Sequence, residues 1–187
     1  MQFLSDLWLP ILVSGIAVHI LSALVWTVLP NHKTEFSGLP GEDAIMNSLR
    51  SSRVVPGRYM IPWMGSGGEP MKTPEGKAKY EAGPIAYLTV QKPGMPNMGT
   101  MIGQSLVSSL VISVFVGYLA WHALPPAADY LEVFRITGTA TFMAYALGVI
   151  SESIWFARPW KSLAMNTFDA LLYAGVAGGV FGWLWPI

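Results

Sequence analysis

The sequence contains no cysteine and few charged residues. The absence of cysteine excludes disulfide bonds, thiol catalysis and thiolate-ligated metal centres, and it leaves the redox compartment open. Charged residues occupy 12% of the 187 positions, whereas soluble domains carry roughly 25%. The formal net charge is zero, so no bulk field attracts nucleic acid or acidic substrates. Together with 52% hydrophobic residues, this composition predicts a chain embedded in a lipid bilayer.

The hydrophobic residues are concentrated in four runs. Each run reaches the roughly 20 helical residues needed to cross a hydrocarbon core. Prolines mark the ends of the runs, because proline cannot continue a helix. The pattern predicts an all-α membrane protein, a single domain built as a bundle of four transmembrane helices. The predicted helices cover residues 7–29, 103–124, 133–157 and 168–187, and a long segment covers residues 31–102.

The basic residues divide unequally between the two predicted faces of the membrane. Ten of the eleven lie in residues 31–102 or in the short turn before the fourth helix, and only Arg135 lies on the opposite face. Cytoplasmic loops of membrane proteins are rich in lysine and arginine. The long segment is therefore predicted to be cytoplasmic, and both chain termini are predicted to be external.

Small residues recur at four-residue spacing on the predicted helices. On the fourth helix, Gly175 is followed by Gly179, and Gly178 is followed by Gly182. Such stripes allow close backbone approach in a bilayer, where no hydrophobic drive operates between helices. They predict a compact bundle, and they would equally suit a partner helix.

The long segment contains signals for local structure. Glu42 to Ser51 has the pattern of a short helix, and Ile85 to Val90 that of a strand. A second helix is predicted to begin at Pro74, with Thr73 as its N-cap. It ends at the pair Gly83-Pro84, since glycine and proline terminate helices.

The stretch "VVPGRYMIPWMG", residues 54–65, is too broken for a membrane helix and too apolar for a solvated linker. We interpret it as an interfacial cap that folds back on the inner membrane surface. Tyr59 and Trp63 would dip into the interface, and Arg58 would meet anionic headgroups or a carboxylate. The alternative is a partner-docking surface, because exposed apolar loops usually serve one of these two roles.

The histidines are candidate ligands for a metal or a haem. His19 lies at mid-depth in the first predicted helix and His122 near the outer end of the second. Two ligands of one haem must lie at similar depth, and at about 1.5 Å per residue these two histidines do not. Neither metal nor cofactor is therefore expected. A polar group at mid-bilayer needs a hydrogen bond. His19 should therefore bond to a serine of another helix or form a proton or ligand site. His32, in "LPNHK", is expected to be exposed at the interface.

Two carboxylates flank the inner turn of the predicted bundle. Glu152 and Asp169 should lie near Arg158 and Lys161 as a structural ion-pair cluster, with acid–base catalysis as the alternative. Asp169 should also complement a helix N-terminus capped by Thr167. No phosphate-binding loop, nucleophile elbow or zinc-helix motif occurs in the sequence, so no catalytic residue is assigned.

Six short stretches resemble those of a family of uncharacterised bacterial integral membrane proteins of about this length. The stretches are "LPNHKTEF", "VPGRYMIPW", "PNMG", "SIWFARPW", "NTFDALLYA" and "FGWLWP". The resemblance covers the whole chain and is specific to the family. It implies a bacterial inner (cytoplasmic) membrane protein, and it implies no activity.

Three hypotheses for function follow. The first is a non-enzymatic scaffold or accessory subunit that presents its cytoplasmic cap to partners, with membrane lipid and other membrane-protein subunits as the expected contacts. The second is a small-molecule or ion transporter that uses His19 and Glu152. The third is a membrane enzyme acting on a lipid at the inner interface.

Overall fold

The computed structural model describes residues 2–186, with Asn31 described by its backbone alone. Most of the described chain is helical. The α-helices are α1 Gln2–Val28, α2 Glu42–Ser51, α3 Pro74–Ala82, α4 Met98–Ala123, α5 Tyr130–Ala146, α6 Ile150–Trp155 and α7 Trp160–Trp183. Two strands, β1 Gly57–Ile61 and β2 Ala86–Val90, and three 3-10 turns, Pro30–Thr34, Glu69–Lys72 and Leu147–Val149, complete the elements.

The chain divides into two compact units. Residues 1–36 and 97–187 form the first, here called the helix unit, and residues 37–96 form the second, here called the connecting unit. The helix unit contains α1, α4, α5, α6 and α7. Within it α1 packs against α4 and α7, and α5 packs against α4 and α7.

Three helical segments in the described residues are long and apolar enough to cross a membrane. They are Gln2–Val28, Met98–Ala123 and Tyr130–Trp155. The prediction of a mostly helical protein with membrane-spanning helices is confirmed to the extent of these three segments. Helix α7 is not among the three, since its first half carries Lys161, Asn166 and Asp169.

The helices extend beyond the hydrophobic runs from which they were predicted. Helix α1 begins at Gln2, α4 at Met98 and α7 at Trp160, each five or more residues before the predicted start. A hydrophobic run marks the lipid-facing part of a helix, whereas a cap sets its end. The side chain of Asn97 accepts a hydrogen bond from the Thr100 amide at 3.0 Å, which starts α4. The predicted end of the fourth helix at residue 187 lies outside the described residues.

The third predicted helix is interrupted. Residues 133–157 were expected to be one span, but the 3-10 turn Leu147–Val149 separates α5 from α6. A 3-10 turn rises about 2.0 Å per residue with three residues per turn. It therefore changes the direction in which the following side chains point.

Helices α5 and α7 run antiparallel and approach closely at glycines. A Cβ atom placed on Gly138 would lie 3.3 Å from the Ala174 carbonyl oxygen. One placed on Gly178 would lie 2.9 Å from Phe134 Cδ2, and one on Gly182 would lie 2.7 Å from Tyr130 Cδ2. Contacts thus recur every four residues on both helices, which matches the helical repeat. By contrast, nothing lies within 4 Å of a Cβ on Gly175, so only part of the predicted stripe is in contact.

The core of the helix unit lies at one end. Leu7 of α1, Val133 of α5 and Phe181 of α7 are fully buried in one cluster, with Val116 and Ala120 of α4. These side chains come from the start of α1 and α5 and the end of α4 and α7. That end of the unit is therefore filled by large apolar side chains.

A side-chain bond ties two helices together just inside this end. The Ser113 hydroxyl donates to the Ile11 carbonyl at 2.7 Å. Residue 10 of α1 is proline, and proline interrupts the regular helical hydrogen bonding nearby. The serine therefore joins α4 to α1 next to that proline.

The connecting unit confirms three local predictions and corrects one. Helix α2 covers Glu42–Ser51 as predicted, the Thr73 side chain caps α3, and β2 begins at Ala86. The stretch expected to be irregular instead supplies β1, which pairs antiparallel with β2 from Gly57–Val90 to Ile61–Ala86. A partner distant in sequence provides the ladder of hydrogen bonds, so the local proline-rich pattern did not reveal it.

No residue of the connecting unit is fully buried. Its internal contacts are polar and peripheral. The Tyr80 hydroxyl of α3 donates to the Pro62 carbonyl at 3.1 Å, and the Tyr59 hydroxyl donates to the Val55 carbonyl at 2.7 Å. A unit of about 60 residues buries only roughly 60% of the surface that its unfolded chain exposes, less than a larger domain does, so a large core is not expected here.

The glycine contacts between α5 and α7 make a testable prediction about stability. Gly178→Ala should destabilise the helix unit by about 1–3 kcal/mol, the usual cost of overpacking. The new methyl group would meet the Phe134 carbonyl oxygen at 3.0 Å as well as its ring. Gly175→Ala is the matched control, with open space around the new group. Melting curves in detergent measure both, and equal melting temperatures for the two variants would contradict the close approach.

Candidate functional site

A buried histidine lies just beyond the end of α1. The 3-10 turn that follows α1 places His32 against α7, where it is 7% exposed. Its Nδ1 atom lies 2.9 Å from Glu35 Oε2 and its Nε2 atom lies 2.8 Å from Asp169 Oδ2. The ring is thus held between two carboxylates from different elements. The expectation that His32 would be exposed is wrong, because the turn folds back rather than projecting outward.

The two carboxylates extend this contact into a network. Arg158 Nη2 donates to Glu35 Oε1 at 3.0 Å. Trp26 stacks on the His32 ring with centroids 3.9 Å apart and planes 11° from parallel. The network Asp169–His32–Glu35–Arg158, called here the histidine network, contains two acids and two bases.

The charges of the network shift two pKa values. Burial lowers the pKa of His32, but hydrogen bonds to Glu35 and Asp169 and their charges outweigh burial, so the pKa is raised above 6.5. Burial raises the pKa of Glu35, but the bonds to His32 and Arg158 outweigh it, so the pKa is lowered below 4.5. Both shifts favour the ionised forms, imidazolium for His32 and carboxylate for Glu35.

A cavity of about 620 Å³ lies beside the network within the helix unit. Its wall combines aromatic rings, methionines and hydroxyl groups from four helices. His19 Nδ1 lies 3.4 Å from Ser105 Oγ, and the Tyr145 hydroxyl donates to Ser109 Oγ at 3.3 Å. The lining residues are His19, Ser22, Ala23, Trp26, Met98, Met101, Ile102, Ser105, Ser108, Ser109, Tyr145, Asn166, Asp169 and Tyr173.

Two acceptor atoms in this wall lack partners. Asp169 Oδ1 and Asn166 Oδ1 are buried and have no hydrogen-bond partner among the described residues. Asp169 is 3% exposed, with its other oxygen bound to His32. A buried acceptor without a partner costs about 1–3 kcal/mol. Both residues line the cavity and lie three positions, about one helical turn, apart on α7.

The structure brings some of the predicted polar residues together and not others. Asp169 and Arg158 belong to the histidine network, and Lys161 Nζ donates to Thr34 Oγ1 at 3.4 Å beside it. Glu152 lies on α6, half-buried, and its carbonyl accepts from the Arg158 amide at 3.2 Å. It is not among the described residues that line the cavity.

The expected role of Asp169 at a helix N-terminus is wrong. Helix α7 begins at Trp160, so Asp169 lies in the helix interior, and the Thr167 hydroxyl donates to the Leu163 carbonyl instead of capping. His32 was missed as its partner, and Glu35 was missed as the second partner of His32. Their i, i+3 spacing directly after Pro30 could have indicated them, since such a spacing places two side chains on one face of a helical turn.

His19 and His122 lie far apart. Ser105, the contact of His19, precedes His122 by 17 residues on α4, which is about 25 Å along a helix. His122 instead meets the Tyr118 ring edge-on at 4.6 Å. This pair cannot hold one iron. Within residues 2–186 no group of three or more His, Asp or Glu side chains is placed to hold a metal ion.

The three predicted cap residues belong to the connecting unit. Arg58 pairs with Thr89 and Tyr59 with Leu88 in the register of the two strands, and Trp63 is 67% exposed just after β1. Their contact with a membrane stays a prediction.

Comparison with protein families, with curated proteins and with solved structures finds no match to this chain.

The histidine network predicts a defined pH dependence of stability. The raised pKa of His32 gives stability that is full below pH 6.5 and is lost as pH rises through the folded-state pKa. The lowered pKa of Glu35 gives stability that is full above pH 4.5 and is lost as pH falls through its folded-state pKa. The contribution should therefore be greatest between pH 4.5 and 6.5.

Melting curves across pH test this expectation. His32→Gln should lower stability by about 3–5 kcal/mol, since it leaves the buried Asp169 carboxylate without a charged partner. It should also remove the fall in stability on the alkaline side, because glutamine does not titrate. His122→Gln, outside the network, should keep that fall. A parent and a His32→Gln variant with parallel pH profiles would contradict the assignment.

Proposed function

We propose that the chain is a bacterial inner-membrane protein that crosses the bilayer four times and binds a neutral, hydroxyl-bearing amphiphile in its cavity. The proposal develops the small-molecule hypothesis, with Asp169 and Asn166 in the place given to Glu152. The observation that carries it is the pair of buried acceptors without partners in the cavity wall.

Helix α7 is the proposed fourth crossing. It has 24 residues, about 36 Å of helix, and it packs against both α5 and α1. The charge of Asp169 in its first half is balanced by His32. A charge inside a membrane helix is tolerated where it faces the protein interior and is paired.

The topology follows from the distribution of basic residues. Four crossings place the connecting unit and the turn that contains Arg158 on one side, with ten of the eleven basic residues. That side is proposed to be cytoplasmic. The resemblance to bacterial membrane proteins suggests the inner membrane.

Single-cysteine labelling tests the topology without interference, because the chain has no cysteine of its own. A cysteine at Gly67, in the connecting unit, should react only with reagent on the cytoplasmic side. A cysteine at Ala127, between α4 and α5, should react only from outside. Labelling of Gly67 only from outside and of Ala127 only from the cytoplasm would overturn the orientation. Labelling of both positions from the same side would show that the chain does not cross the membrane once between them.

The polarity of the wall defines the class of ligand. Asp169 Oδ1 and Asn166 Oδ1 are acceptors, so the ligand must donate hydrogen bonds. Trp26, Met98 and Met101 give the remaining wall an apolar, adaptable surface. A molecule with hydroxyl groups at one end and an apolar body satisfies both parts.

The histidine network favours a neutral ligand over a cation. Its two acids and two bases already balance. A ligand ammonium next to Asp169 would therefore add an uncompensated charge to a largely desolvated site, which is costly. A hydroxyl group donates to the same oxygen without that cost.

The cavity favours binding over conduction. It occupies the half of the helix unit that contains His19 and Asp169, whereas Leu7, Val116 and Phe181 fill the other half. An open path across the unit would require that core to separate. The histidine network is also poorly suited to acid–base catalysis, because both nitrogens of His32 already face carboxylates.

A scaffold role for the connecting unit is the second candidate. Val55, Trp63 and Met95 are 65%, 67% and 95% exposed in a unit without fully buried residues. Exposed apolar side chains of this kind suit partner contact. A pure scaffold would not require the cavity, so blocking the cavity distinguishes the two functions.

A matched series of amphiphiles tests the binding proposal. Monooleoylglycerol, oleylamine and oleic acid share an apolar chain but present two hydroxyl groups, an ammonium and a carboxylate. The neutral glyceride should raise the melting temperature most, by an amount equivalent to about 2.7 kcal/mol at a hundredfold excess over Kd.

Two tryptophan substitutions provide the control. Ala23→Trp fills the cavity and should abolish the shift, whereas Leu24→Trp, on the outer surface of α1, should retain it. Equal shifts for all three amphiphiles, or a shift that survives Ala23→Trp, would contradict binding at this site.

A further inference from the structure

A second recess lies between α5 and α7. It is a groove of about 420 Å³ between the two helices. Phe134, Thr139 and Phe142 of α5 and Leu171 and Gly175 of α7 line it together with Arg135. It shares no lining residue with the cavity.

The groove results from two glycines with different surroundings. At Gly138 the helices approach closely, with a Cβ position 3.3 Å from the Ala174 carbonyl, and this forms the floor. At Gly175 no atom lies within 4 Å of the corresponding position, so the missing side chain leaves an opening. The lining of α5 runs from Phe134 to Phe142, about 12 Å along the helix.

Arg135 gives the groove one charged end. Its side chain is exposed, and within residues 2–186 its guanidinium makes no hydrogen bond or ion pair. It lies five residues after the first residue of α5, about 7–8 Å along the axis. An arginine at that depth extends toward the nearer membrane surface. The groove therefore has a cation near the surface and an apolar trough that runs deeper.

We propose that this groove is a specific site for one anionic phospholipid, whose phosphate binds Arg135 and whose acyl chain lies between α5 and α7. Guanidinium binds phosphate oxygens through paired hydrogen bonds. The trough continues from that charge toward Phe142 and Leu171, which matches the order of phosphate and acyl chain in a lipid. The inference rests on the insertion of Tyr130–Trp155 in a bilayer and is independent of the ligand in the cavity.

A membrane helix of another protein would fit this surface less well. It would need a small-residue face along the seam and an acidic side chain opposite Arg135, and the acid would have to enter the bilayer. A carboxylate within a membrane helix is costly. A lipid phosphate is already at the surface, so it meets Arg135 without that cost.

Native mass spectrometry of the purified chain in detergent tests the site. Phosphatidylglycerol and phosphatidylcholine with identical acyl chains serve as probes, and glycerol phosphate serves as the headgroup without a tail. The parent should bind one phosphatidylglycerol about fivefold more tightly than phosphatidylcholine, the effect of about one basic contact. Glycerol phosphate alone should bind too weakly to be retained.

Three variants separate the charge from the groove. Arg135→Gln should reduce phosphatidylglycerol binding to the level of phosphatidylcholine. Gly175→Leu should fill the trough and weaken both lipids. Gly103→Leu is the matched control, since its site on α4 is equally open and lies outside the groove.

Two kinds of result would overturn the proposal, one in lipid selectivity and one in oligomeric state. One is equal binding of the two lipids by the parent, or unchanged selectivity in Arg135→Gln, which is an exposed position and should not impair folding. The other is a dimer of the parent that disappears in Gly175→Leu while lipid selectivity persists, which would assign the groove to a second copy. A failure of amphiphile binding in the cavity would leave these outcomes unaffected.

Discussion

The hydrogen bond between His32 and Asp169 allows α7 to carry a carboxylate among packed helices. Asp169 is 3% exposed, and its Oδ2 atom lies 2.8 Å from the imidazole. Without the imidazole the carboxylate would be a buried charge with no counterion, which strongly destabilises the packed helices. Glu35 in turn holds the other nitrogen of the imidazole, and Arg158 pairs with Glu35. The contact between His32 and Asp169 joins the turn after α1 to α7 at the wall of the cavity.

The same contact accounts for the uneven packing of the helix unit. Near Leu7 and Phe181 the space between helices is filled by large apolar side chains. Near Asp169 the wall consists of serines and aromatic rings at the rim of a cavity. The 3-10 turn at Leu147–Val149 marks the change, because α6 beyond it contacts α7 much less than α5 does. The densely packed end of the helix unit thus supports the end that contains the cavity.

The sequence predicts those features that depend on neighbouring residues. The helix Glu42–Ser51, the Thr73 cap and the strand ending at Val90 follow from caps, turn residues and periodicity over a few positions. The long apolar helices follow from their composition. His19 and its serine partner were also anticipated, since a polar group in an apolar helix must find a bond nearby.

Features that depend on distant partners were not predicted. Strand β1 forms because it pairs with β2, and helix α3 lies between the two strands in the sequence. The burial of His32 depends on Asp169, which lies 137 residues further along the chain. The early start of α7 was hidden because the hydrophobic run begins later than the helix does. In each case the deciding interaction joins positions that no local pattern relates.

The repeated glycine contacts between α5 and α7 also limit how the chain can change in length. Gly138, Gly178 and Gly182 meet their neighbours at steps of four residues on two antiparallel helices. One inserted residue rotates everything beyond it by about 100°. Within either helix, an insertion would therefore turn every later glycine away from its neighbour at once. The same insertion in the connection between Phe156 and Pro159 would leave all three contacts in place. A change of length in a connection thus keeps the glycine contacts, whereas a change of length within either helix breaks them.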